Sequence, residues 1–294
     1  MRYIISLLLA STALPALAEV PRVVTDIPPV QALVAQVMGD LGQPELLLEK
    51  GADEHDFQLR PSQMRDISMA DLVVWIGPEL TPWLDRALGD RGDTLALLDA
   101  PETKTQAFPE GAHEEEDHDH GSLDPHAWMN PENAEIWLDL IAARLSEIDP
   151  EHAATYASNA TAAKARIAVM DGEIAKLLKP LAGKAFVTFH AAYGYFTAHY
   201  GLQGAASLAL GDASAPGAAR LAELQADMKA GSYACAFPEI QHDPKLLTQL
   251  MAGTSAKLGA ALDPVGSSLE FGPGAYEALM RSIAQNLHDC LAPA

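Results

Sequence analysis

The chain reads as α/β, organised as two lobes that each carry a parallel sheet flanked by helices and are joined by one long connecting helix. Three observations predict this. Short aliphatic runs alternate with helix-period segments through the first half, and the same alternation restarts in the second half. Between them stands an uninterrupted helical pattern from Glu151 to Lys179, about eight turns long.

Residues 1–18 have the layout of a secretory signal peptide. A cationic start at Arg2 precedes an apolar run from Tyr3 to Leu14 and a small-residue cleavage pattern at Ala16-Leu17-Ala18. No later run approaches the roughly 18 apolar residues that cross a bilayer, so the mature chain from Glu19 is expected to be exported and soluble. The balance of 19 Lys and Arg against 40 Asp and Glu gives a net charge of −21. That excess argues against nucleic acid and anionic lipid as partners and favours cationic ligands. Two cysteines, Cys235 and Cys290, stand in an exported chain, where either one bridge or two buried thiols are open readings.

The first lobe is expected over 19–149. Val20 to Thr25 suits a buried strand, and Asp26-Ile27-Pro28-Pro29 breaks it. Val30, Leu33, Val34, Val37 and Met38 then recur at helical spacing until Gly39. Leu46 to Leu48 is a second strand, running into a loop with Glu54 and His55. Pro61 to Met69 is a short helix, Leu72 to Ile76 the clearest strand, Trp83 to Leu88 a helix, and Leu95 to Leu98 a fourth strand. A helix from Asn133 toward Ile148 completes the lobe. The connecting helix is placed at 150–180, with Tyr156, Ala160, Ala163, Ile167, Met170, Ile174 and Leu177 on its apolar stripe. The second lobe, 181–294, has strands at Ala185 to Phe189, Ala205 to Leu208, Ala234 to Phe237 and Leu258 to Leu262. Its strands end on His190, on Pro238-Glu239 and on Asp263-Pro264. Loops at the carboxyl ends of parallel strands are where open α/β sheets bind ligands, so a cleft between the lobes is the expected site.

The stretch from His113 to Pro131 concentrates histidines and carboxylates. It reads HEEEDHDHGSLDPHAWMNP, and holds four of the chain's ten histidines and six carboxylates. Imidazole and carboxylate together suit zinc. Residues 113–120 read equally as a solvated acidic loop. His55, His126 and His190 each sit in a strand-end or turn-forming loop, and three imidazoles plus one carboxylate make a tetrahedral zinc set. The helical H-E-x-x-H signature of zinc hydrolases is absent: His113 and His118 are spaced by five rather than four. No G-x-S-x-G elbow is present either.

Four motifs carry a resemblance. They are Glu54-His55-Asp56-Phe57 followed by Leu59-Arg60-Pro61-Ser62, Asp124-Pro125-His126-Ala127-Trp128-Met129-Asn130-Pro131, Phe189-His190-Ala191-Ala192-Tyr193-Gly194, and Leu262-Asp263-Pro264-Val265-Gly266. In this order and over nearly the whole mature chain, they resemble the metal-binding periplasmic proteins of bacterial ABC importers, most of all the zinc-specific ZnuA group. The resemblance implies two α/β lobes with the metal site in the cleft between them. It also implies His55, His126 and His190 as imidazole ligands. The fourth position would fall to Glu54 or to water, with Asp263 the alternative. Manganese-binding relatives place a glutamate where this chain has His190 and use an aspartate aligned with Asp263, so a third histidine favours zinc. By the same resemblance Cys235 and Cys290 form the single disulfide, and His113, His118 and His120 lie in a short auxiliary capture loop. Zn2+ would be the transported ligand, the chain a monomer and not an enzyme, and its transient partners an ABC permease and its ATPase subunit. A manganese binder of the same family and a periplasmic zinc buffer or metallochaperone stand as alternatives. Arg60 and Glu239 are open between pairing near the site and ordinary interface polarity. His152, His199, His242 and His288 match no family ligand position and are expected to be surface or structural.

Overall fold

The computed structural model describes residues 19–108, 123–209 and 216–293. The signal-peptide reading of 1–18 and the histidine loop 113–120 lie outside the described residues.

In the first lobe, strands β1 (Val23–Thr25), β2 (Glu45–Leu46), β3 (Leu72–Trp75) and β4 (Thr94–Ala96) form one parallel sheet in the order β2-β1-β3-β4. Helices α1 (Pro28–Met38), α2 (Pro61–Met69), α3 (Pro82–Leu88) and α4 (Pro131–Ile148) accompany it. The long α5 (Ala153–Leu178) follows, entered through a 3-10 turn at Pro150–His152. The second lobe holds β5 (Phe186–Thr188), α6 (Gly194–His199), β6 (Ala206–Ser207), α7 (Ala218–Lys229), β7 (Cys235–Ala236), α8 (Lys245–Leu250), β8 (Lys257–Leu258) and α9 (Ala275–Leu291). Its sheet is also parallel, in the equivalent order β6-β5-β7-β8.

In both sheets the strand order reverses beside the first strand, which leaves a crevice at the carboxyl ends of β1 and β3, and of β5 and β7. Asp26 occupies the first crevice. Its buried carboxylate accepts hydrogen bonds from the Ile27 and Ile76 amides, both at 2.8 Å, and so ties the ends of β1 and β3 together. Burial pushes its pKa up to about 7, against the pull of those amides. Asp26→Ala would leave two buried amides unpaired, and is expected to lower unfolding stability by about 2–3 kcal/mol in urea titration; an unchanged midpoint would remove this role.

Both faces of each sheet are covered. Val24, Val73, Trp75 and Trp83 pack on one side of the first sheet, and Val187, Leu208, Leu224 and Ala236 on one side of the second. The other faces share one continuous core, which runs from Leu33 and Trp137 through Ile167 and Met170 to Phe186 and Ile283. Helix α1 is buried on every side because it lies inside that core. Its Gln36 is satisfied there by the Pro273 carbonyl at 2.6 Å and by Arg166 at 2.8 Å.

Most expected elements occur, with shorter strands. The predicted run Leu258 to Leu262 pairs as a strand only at Lys257–Leu258, with a separate bridge at Glu239↔Leu262. The buried stripe of α5 ends on Leu178 rather than Leu177, because 3.6 residues per turn drift against a strict four-three spacing. Helix α9 is the element the reading above did not single out. Tyr276, Leu279, Met280, Ile283, Leu287 and Leu291 bury one face, and the helix packs on α1 as well as α5. A disulfide between Cys235 and Cys290 ties its last turn to β7, across a sequence separation of 55.

Candidate metal centre

The loop after β2 carries Glu54 and His55. Asp53 Oδ1 accepts the His55 amide at 2.8 Å, and the Glu54 carbonyl accepts the Trp83 indole N–H at 2.9 Å. The Gly51 amide donates to the Ser267 carbonyl at 3.0 Å, so this first-lobe loop is docked on the second lobe. Arg60 pairs with Glu49 beside it.

His126 follows a proline turn in which one carboxylate does two jobs. Asp124 Oδ1 accepts the His126 backbone amide at 3.0 Å and faces its Nδ1 at 2.8 Å. A proton on Nδ1 leaves Nε2 with its lone pair directed at the site. Asp124 Oδ2, held in turn by Gln106 at 3.0 Å, lies 2.9 Å from where a Cβ on Gly194 would stand. Only glycine lets α6 begin so close to this turn.

His190 lies just past β5. Its Nδ1 is 2.6 Å from Glu239 Oε2, and Glu239 Oε1 accepts the Tyr193 hydroxyl at 3.1 Å. Glu239 sits at the end of β7, across the second crevice. Its strand-end position was legible in the sequence, and the structure resolves the open reading in favour of orienting His190. Arg60, by contrast, pairs away from the histidines.

The three imidazoles face one another. Ring centroids are separated by 5.4 Å for His55 and His126, 5.6 Å for His55 and His190, and 5.2 Å for His126 and His190. The Nε2 atoms of His126 and His190 are 3.3 Å apart. Ligand atoms of Glu54, His55, His126 and His190 all lie within 4.8 Å of one another. Glu54 Oε1 and His55 Nε2 are buried and make no hydrogen bond among the described residues. Orphaned buried polar atoms are costly, and a cation at about 2 Å from each donor would satisfy them.

The electrostatics divide the four groups into pairs. Burial holds His55 well below the ordinary imidazole pKa, with the neighbouring histidines adding to the effect. Burial also lowers His126, partly offset by Asp124. Those two rings are neutral donors in advance of metal. Burial pushes Glu54 up to about 8, opposed by His190. For His190 burial disfavours the charge, but the Glu239 carboxylate, with Glu54 and Asp53 beyond it, raises the pKa above its ordinary value.

Asp263 is not brought into this group. Its Oδ1 accepts from Gln241 at 2.9 Å and from the Ser267 amide at 3.1 Å; Oδ2 accepts from the Ser268 amide at 2.8 Å and its hydroxyl at 2.6 Å. It organises the turn whose Ser267 carbonyl receives Gly51. His152 and His199 pair with Asp149 and Asp171 away from the cluster, and His288 faces Asp289 on α9. His242 is partly buried and packs in the second lobe. It stacks on Phe189 with ring centroids 4.0 Å apart, close beside Glu239 and Asp53.

Two parallel α/β sheets with a buried imidazole and carboxylate set contributed by both lobes bring together, in the cleft, donor atoms that could hold a metal cation. Residues 23–290 match the family model described as zinc-uptake complex component A, periplasmic, and the chain belongs to that family. It is 48% identical to the high-affinity zinc uptake system protein ZnuA of Paracoccus denitrificans (strain Pd 1222), over 96% of this chain and 95% of that one. It is 35% identical to the protein of the same name from Brucella suis biovar 1 (strain 1330), over 92% and 91%. In fold it is similar to a zinc-bound ZnuA deletion mutant, with a TM-score of 0.78, 23% identity, and 93% of this chain and 99% of that one covered. It is likewise similar to the periplasmic zinc-binding protein TroA of Treponema pallidum, with a TM-score of 0.79, 19% identity and coverage of 93% and 99%.

Proposed function

We propose that this protein captures Zn2+ in the periplasm and delivers it to an ABC permease for import, using Glu54, His55, His126 and His190 as ligands. The observation that carries the reading is the convergence of three buried imidazoles and one buried carboxylate, drawn from both lobes, with two donor atoms otherwise unsatisfied. The high-affinity zinc uptake proteins it resembles over nearly their whole length support the same assignment. Three nitrogen donors favour zinc over manganese, which prefers oxygen. Competition titration of the purified protein with both ions is expected to give tighter zinc binding; tighter manganese binding would overturn the choice of metal.

The action is capture and release without bond chemistry. Zinc joins the Glu54–His55 loop to His190 across the cleft and favours the closed arrangement of the lobes. A permease accepts the loaded monomer, and ATP hydrolysis by its ATPase subunit drives release. Residues 1–18 direct export and are removed, and His113, His118 and His120 serve as an auxiliary capture loop. A periplasmic zinc buffer that never docks predicts that zinc-limited growth of a deletion strain is independent of the permease; the delivery reading predicts that the two deletions have the same growth defect and do not add.

A further inference from the structure

The contacts behind His126 and His190 converge on the first residues of α6. Tyr193 and Tyr195 flank Gly194, and both side chains are buried. The Tyr193 hydroxyl donates to Glu239 Oε1, while the other oxygen of that carboxylate faces His190 Nδ1. The Tyr195 hydroxyl crosses to the first lobe. It donates to the Asp124 carbonyl at 2.8 Å and accepts the Gln106 amide at 3.0 Å. One tripeptide therefore touches the acidic residue behind each of the two histidines.

Gln106 and Asp124 are bound to each other by backbone, by side chain and through Tyr195. The Asp124 amide donates to the Gln106 carbonyl at 3.0 Å, the Gln106 side-chain amide donates to Asp124 Oδ2 at 3.0 Å, and the Tyr195 hydroxyl spans the two backbones. Asp124 Oδ1 is committed to His126, on its backbone amide and its Nδ1. With Oδ2 held by Gln106, the carboxylate is fixed from both ends, and the buried ring bonded to it takes its direction from that plane. Gly194 makes the approach possible, because a Cβ there would stand 2.5 Å from Gln106 Nε2 and 2.9 Å from Asp124 Oδ2. Tyr195 lies 89 residues from Gln106 and 71 from Asp124 in sequence, so this grip exists only where the second lobe is docked on the first.

We propose that Gln106, Gly194 and Tyr195 are positioning residues for zinc, acting on His126 through Asp124. With Tyr193 on Glu239, they hold His126 and His190 as a preset edge of the site, whose Nε2 atoms stand 3.3 Å apart. Neighbouring nitrogens around a tetrahedral ion with bonds of about 2.0–2.1 Å are ~3.4 Å apart, so this edge needs little rearrangement when the ion enters. The opposite edge has no such hold on its donor atoms, since Glu54 Oε1 and His55 Nε2 make no hydrogen bond among the described residues. Capture then adds the Glu54–His55 side to an edge built in advance. The role rests on His126 and His190 being zinc ligands.

The test titrates variants of the full mature chain with zinc against a chromophoric chelator, and with one equivalent of Co2+ to record the visible spectrum of the bound ion. Gln106→Ala is expected to weaken zinc binding by about tenfold, as for other residues that orient a metal-bound histidine, and to shift the Co2+ bands. Tyr195→Phe and Gly194→Ala, which disturb the same grip from the α6 side, should move both readouts in the same direction. A merely structural role would lower the unfolding temperature of the metal-free chain and leave the spectrum of the bound ion unchanged. A cycle with Asp124→Ala isolates the route: once that carboxylate is gone, Gln106→Ala should cost no more than about a further twofold. Full multiplication of the two losses would overturn the positioning role while leaving His126 and His190 as ligands. So would an unchanged affinity and Co2+ spectrum in folded Gln106→Ala and Tyr195→Phe. A folded His126→Ala chain that binds zinc as tightly as the parent would instead overturn the ligand set, and this role with it.

Discussion

His126→Ala is expected to weaken zinc binding by about 10²–10³-fold. Zinc bound to full protein ligand sets contributes about 10–16 kcal/mol, so one of four donors corresponds to roughly 2.5–4 kcal/mol. Two features of His126 push the loss to the full value. Its ring is buried and its pKa is lowered, so no deprotonation cost is recovered when the donor is removed. Asp124 also fixes its tautomer through a 2.8 Å contact, so the donor is oriented before metal arrives. The comparison is Glu239→Gln, which keeps every inner donor but alters what holds His190 Nδ1; changes of that kind cost about 10–100-fold. Competition with a chromophoric chelator at fixed pH reads both. Thermal unfolding of the metal-free forms separates lost affinity from lost fold. An affinity within threefold of the parent for His126→Ala, in a chain that remains folded, would remove His126 from the ligand set.

How much of this was legible in the sequence depends on whether a role is local or distributed. The strand before Asp26 and the stripe on α5 are local patterns, and they could be read directly. His126 was legible because Asp-Pro-His sets its own backbone turn and its own partner within three residues. Glu239 was half legible: its strand-end position is in the sequence, but its pairing with His190 spans 49 residues and needs β5 and β7 to be neighbours. Asp263 shows the opposite case. A carboxylate at a strand end looks like a ligand, yet the Ser267-Ser268 turn just downstream consumes both of its oxygens. The same local hydrogen bonding keeps aspartates in turns generally. His242 was unreadable for a geometric reason, since its place beside Glu239 depends on stacking against Phe189 from another loop. Helix α9 had a readable stripe, but its burial against α1 depends on the lobes sharing one core.

Zinc affinity is expected to fall by approaching 100-fold for each pH unit below about 7, with close to two protons released per ion bound. His55 and His126 contribute less to this dependence, because burial lowers both pKa values and so favours their neutral forms. The dependence comes from Glu54, raised to about 8, and from His190, also raised. Both carry a proton in the metal-free protein at neutral pH, and each must lose it to donate a lone pair. Because the metal-bound form holds fewer protons, acid shifts the equilibrium toward free protein; where both groups are protonated, the apparent dissociation constant varies as about the square of proton concentration. The exchange also settles the buried charge. A neutral Glu54 and a positive His190 beside Glu239 become a carboxylate, a neutral imidazole and a divalent cation, so two positive charges leave as two enter. Burying a bare divalent ion would be prohibitive, and the proton exchange avoids that. Calorimetry in buffers of different ionisation enthalpy measures the protons released, and competition titrations between pH 6 and 8 measure the slope. Glu54→Gln should reduce both to about one. A parent that already releases one proton, with no further loss in Glu54→Gln, would show that Glu54 does not change protonation on binding and would remove it as the source of the second proton.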